Sequence, residues 1–221
     1  MVTITVAGTA RRSLPPERGT VHLRAMREAR RSADVVPFVA DLHARLSADA
    51  ERYVTAGAAT RWSADQLYVS TVQRYRRDSD VSETFQVAAA GVAVRFTDFA
   101  ALSTWVTDVG AVDGVVVDGV EWELTDERRR EVEREVRAEA VRDAQDRAAG
   151  YATALGFATV EVAALYEPGL RPNTRPELDG GMPRYARMAA ADHAGGGPMI
   201  SMRPERIEVS ATVTADFTTS G

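Results

Sequence analysis

The sequence predicts an α+β fold, an antiparallel-rich sheet with helices packed on one face. Three observations carry this. Apolar residues alternate with polar ones, period two, in seven stretches. They recur every three or four residues in three others. The order from the second strand onward reads βαββαβ, then one long helix and two more strands, and βαββαβ is the split-βαβ arrangement.

Val2, Ile4 and Val6 share one face of the first strand. After a Pro15-Pro16 turn, Val21, Leu23 and Ala25 share one face of the second. Ser32 and Asp34 are candidate caps for a helix with Pro37 in its first turn and a buried stripe of Val35, Phe38, Val39, Leu42 and Leu46. That helix is expected to end before Gly57. A hairpin of two long strands follows: Leu67, Val69 and Thr71 on one, a polar turn at Asp78-Ser79-Asp80, then Phe85, Val87 and Ala89 on the other. The apolar phase then moves to even positions at Val92, Val94 and Phe96. A one-residue slip turns side chains to the opposite face, so a bulge is expected near Gly91.

Asp98 caps a short helix with a stripe of Phe99, Leu102, Val106 and Val109 and a stop at Gly110. The next strand changes phase from Val115 and Val117 to Val120, Trp122 and Leu124, which predicts a second bulge at Gly119. The longest helix runs from about Asp126 to Leu155. Val132, Val136, Ala140, Ala144, Ala148 and Ala152 repeat every four residues on one face, small enough for close approach to another element. The Arg128–Arg130 run on this helix reads as a solvated face with weak i,i+4 pairs. Val160, Val162, Ala164 and Tyr166 form a strand. A Gly-, Pro- and Ala-rich stretch from about Glu167 to Pro204 is too long for an ordinary connection and reads as a mobile lid or disorder. The last strand alternates Ile207, Val209, Ala211, Val213, Ala215 and Phe217 with polar residues, one dry face and one wet.

The chain has 221 residues and is read as one domain, 1–221, with an insertion at about 167–204. Its net charge of −5 offers no basic footprint for nucleic acid or an anionic membrane. With no Cys, disulfides, thiolate nucleophiles and zinc ribbons are excluded, and because all 27 basic residues are Arg, so are Schiff-base and P-loop lysines. No signal-peptide pattern opens the sequence and no apolar run reaches the ~18 residues of a membrane helix, so a soluble cytoplasmic protein is expected. If a leader has been removed, a periplasmic or secreted location is expected instead.

His22, His43 and His193 show no metal-binding or triad spacing, no glycine-rich phosphate loop follows a strand, and Glu121 and Glu123 flanking Trp122 are expected to face solvent. No enzymatic activity is expected, with a hydrolase built on a pair among the 32 Asp and Glu residues as the alternative, and no catalytic residue, metal or cofactor is assigned. Met182, Met188, Met199 and Met202, four of the six methionines, fall with Tyr185 in the Gly/Pro-rich stretch. Flexible thioethers suit adaptable apolar contacts, so these five residues are the candidate partner or ligand arm. The alternative is a loop folded over its own sheet.

The stretches Met182–Ala191 and Arg203–Thr214, with Ile4–Gly8, Pro15-Pro16-Glu17 and the Ala-Leu-Gly at the end of Ala138–Gly156, resemble the SIMPL domain family. The likeness extends over nearly the whole chain. It departs in Arg206, within the turn before the last strand, and in lacking the export signal common in bacterial members. The resemblance implies an α+β fold, large homo-oligomers in some members and an association with oxidative-stress tolerance. It supplies no catalytic residues. A self-associating scaffold or stress-protective protein is therefore expected, with a monomeric peptide- or small-ligand-binding module as the alternative.

Overall fold

The computed structural model describes residues 1–75, 82–172 and 203–220. It is an α+β structure of eight strands and three helices whose strands lie in antiparallel sheets. Its described parts form two compact units, one of residues 1–14, 126–172 and 208–220, the other of 15–75, 82–125 and 203–207.

The second unit contains β2 (Arg18–Ala29), α1 (Ser32–Thr55), β3 (Ala59–Ala64), β4 (Tyr68–Tyr75), β5 (Ser82–Phe96), α2 (Phe99–Gly110) and β6 (Val115–Glu123). Its sheet runs β3-β5-β2-β6, with β4 also beside β5. This is the split-βαβ order expected from sequence. One face packs on both helices, where Val21 and Leu23 of β2, Val92, Val94 and Phe96 of β5, Val39 and Leu42 of α1 and Trp105 of α2 share one core.

Several local expectations change. The β2–β5 ladder holds one register from Gly19↔Phe96 to Ala29↔Gln86, so Gly91 carries no bulge. The neighbour on the opposite side of β5 changes there instead: β3 pairs with its end beyond Gly91 and β4 with its beginning. A Cβ on Gly91 would lie 2.5 Å from Asp65 Oδ2, so the glycine admits the chain crossing from β3 to β4. The short, largely exposed strand β3 is an addition to the expected hairpin. That hairpin forms as β4 and β5, with its 78–80 turn outside the described residues.

The N-cap of α1 is Arg31, with no side-chain cap bond. The expected cap Asp34 instead receives two hydrogen bonds from the Arg31 guanidinium, and Pro37 falls in the second turn. In α2 the Asp98 carboxylate accepts from Ala100 N and Ala101 N, as its N-cap role requires. Trp105 enters the buried stripe while Phe99 packs edge-on against Trp122. Gly119 has φ +144 and sits where the β2–β6 register shifts, at the bulge expected there.

The first unit contains β1 (Thr3–Leu14), α3 (Asp126–Ala154), β7 (Thr159–Tyr166) and β8 (Ile207–Ser220), with sheet order β1-β8-β7. The four-residue stripe of α3 is buried along its whole length. A Cβ on Gly8 of β1 would overlap the Ala140 carbonyl oxygen and lie 2.6 Å from Ala144 N, so strand and helix meet backbone to backbone. The helix closes with Phe157 N donating to Ala152 O and Gly156 N to Thr153 O, the paired bonds of a Schellman motif. The Arg128–Arg130 run lies on this helix, with Arg128 paired to Glu131.

In β8, Val209, Val213, Ala215 and Phe217 are buried on the dry face. β7 departs from simple alternation, because its pairing with β8 skips Ala163. None of the helices described is long and apolar enough to cross a membrane.

Candidate functional site

The expected arm residues Met182, Tyr185, Met188, Met199 and Met202, and His193, lie outside the described residues. Of the segment 167–204, residues 167–172 and 203–204 are described. What the structure offers beside the arm's starting point is a groove and an open strand edge in the first unit.

The groove holds about 390 Å³. Arg137 and Val141 of α3 form one wall and Leu165, Tyr166 and Pro168 the other, with Ala211 and Val213 of β8 also lining it. Helix α3 packs chiefly on β1 and less on β7, so the helix-facing side of β7 is only partly covered. Val162 pairs with Phe217 and Leu165 with Ala215, both buried, which places all four on that face. Yet Val162 is 54% and Leu165 51% exposed. Among the described residues β7 has a neighbour on one side only, β8.

On the opposite face, the chain leaving β7 turns back over the sheet. Arg171 Nη2 donates to both Asp216 oxygens, at 2.9 and 3.1 Å, and its guanidinium lies 5.8 Å from the Tyr166 ring centre. Thr5 Oγ1 donates to the same carboxylate at 2.7 Å. Asp216 thus ties the root of the 167–204 segment to β1 and β8. Sequence reading missed Arg171 and Asp216 because alternation assigns Asp216 to the wet face without naming its partner.

The titratable groups are arranged as surface pairs. Arg74 donates twice to Glu28 and holds its carboxyl below the ordinary range. Asp143 is lowered first by the Thr9 amide and then by Arg147. In the second unit, the sheet face turned away from its helices carries Arg24 donating twice to Asp118, and Arg95 donating to Thr20 and lying 2.8 Å from Glu123. Glu121 faces solvent as expected, whereas Glu123 is largely covered in its pair with Arg95. His22 is half exposed, 3.8 Å from Glu121, and the ring of His43 reaches the Gly91 carbonyl at 3.2 Å. No cluster of three or more metal-ligating side chains occurs among the described residues.

A family model, described as a protein of unknown function (DUF541, SIMPL), matches residues 4–217. The chain belongs to the SIMPL family. The match covers almost the whole sequence and spans both units. No curated protein matches this SIMPL chain. The family description assigns no reaction.

Proposed function

We propose that this SIMPL protein is a non-enzymatic, self-associating scaffold or stress-protective protein. The observation that carries the reading is β7, an edge strand that leaves Val162 and Leu165 half uncovered on the side facing α3. A strand edge presents unpaired backbone donors and acceptors, which natural proteins shield with Lys, Pro, bulges or charge. β7 has no Pro or basic residue; its shielding is one charge, Glu161, and the irregularity at Ala163.

Absolute mass by size-exclusion chromatography with light scattering, over a range of concentrations, tests this. A mass of two or more copies is expected, and a single-copy mass throughout overturns the reading. A second reading, capture of a peptide or small apolar ligand, is favoured by the groove between α3 and β7 and by Arg137 at its wall. Saturable ligand binding by a strictly single-copy protein would replace the scaffold with that module.

A further inference from the structure

We propose that two copies of this chain join along β7, antiparallel about a two-fold axis between Val162 and Ala163, so that two three-stranded sheets continue as one of six strands. This rests on the self-association reading and names the seam.

Through its ladder with β8, β7 turns Val160, Val162 and Leu165 toward the helix side and Glu161, Ala164 and Tyr166 toward the other, with Ala163 as the extra residue between. Directly opposed residues of an antiparallel pair share a face. A β7–β7 pairing that sets Thr159 against Tyr166 of the partner subunit also sets Val160 against the partner's Leu165, Glu161 against the partner's Ala164 and Val162 against the partner's Ala163. Every regular pair is then face-matched along the whole strand. A one-residue slip opposes the faces, and a two-residue slide either does the same at some pair or shortens the overlap. The irregularity at Ala163 therefore falls on the axis, where it interrupts the ladder only at its centre.

Side-chain chemistry favours the same register. The half-exposed Val162 and Leu165 of both copies merge into one apolar strip on the helix side. On the opposite face Glu161, which is exposed and opposes no like charge, comes within diagonal reach of the partner's Tyr166, over whose ring the partner's Arg171 lies. A carboxylate approaching a guanidinium on a sheet surface is a complementary contact.

The chain has no cysteine, so a single introduced thiol reports the seam in the full-length protein. Oxidised A163C is expected to form a covalent dimer at least about tenfold faster than A149C, a control on an exposed site of α3, because pairing raises the effective concentration of thiols near the axis. V162K/L165K is expected to run at the mass of one copy. A multi-copy mass with A163C no faster than A149C, or with the lysine variant still associated, overturns the seam while leaving self-association standing. A single-copy mass for the unmodified protein at every concentration overturns both. If the lysine variant loses its circular dichroism, the A163C rate decides alone.

Discussion

Gly8 has to be a glycine because the α3 backbone occupies the place of its side chain: a Cβ there would also lie 2.8 Å from the Ala144 Cβ. Gly8→Ala is expected to cost about 1–3 kcal/mol, as overpacking of a close contact does, read as a fall in denaturant midpoint at unchanged m-value. Asp98 acts locally by satisfying two amides at the start of α2. Asp98→Ala should cost about 1 kcal/mol in the same measurement. The Asp143 carboxyl gives a pH prediction. Its folded pKa lies below the ordinary value because it accepts from Thr9 N and Arg147. Its stabilisation is therefore fully present above the unfolded pKa near 4 and is lost as pH falls through the lower, folded value. Asp143→Asn should flatten the acid limb of a stability–pH curve below about pH 4, and an unchanged limb would remove this account.

At the scale of elements, the two sites of phase change in the sequence have different causes. At Gly119 the shift is a bulge in β6, and φ +144 there suits glycine and strains any side chain, so Gly119→Ala should cost about 1–3 kcal/mol. At Gly91 the strand runs straight, and the odd-numbered Val87 and Ala89 simply occupy the face turned away from the helices. Alternation reports which face is apolar. It cannot say whether the strand has bent or its surroundings have changed, since both produce the same pattern. The α3 stripe was legible for the opposite reason. Six small or branched residues at four-residue spacing have one physical use, close packing along a helix, and all six are buried.

At the scale of the whole molecule, residues 15–125 hold a sheet, two helices and a core whose buried members all lie between Val21 and Val109. A fragment 15–125 is therefore expected to fold alone, with one cooperative thermal transition followed by circular dichroism. A non-cooperative melt would show that its core needs the remaining chain. The sequence by itself determined the α+β class, the split-βαβ order, the three helices and the dry face of β8, because periodicity and capping act between residues near each other in the chain. Only the tertiary structure decided that Trp105 is buried, that Gly91 makes room for Asp65, that Arg171 reaches Asp216 and that β7 is left at an edge with Val162 and Leu165 half uncovered. Each of these depends on which distant segments become neighbours, and no local repeat records the identity of a neighbour.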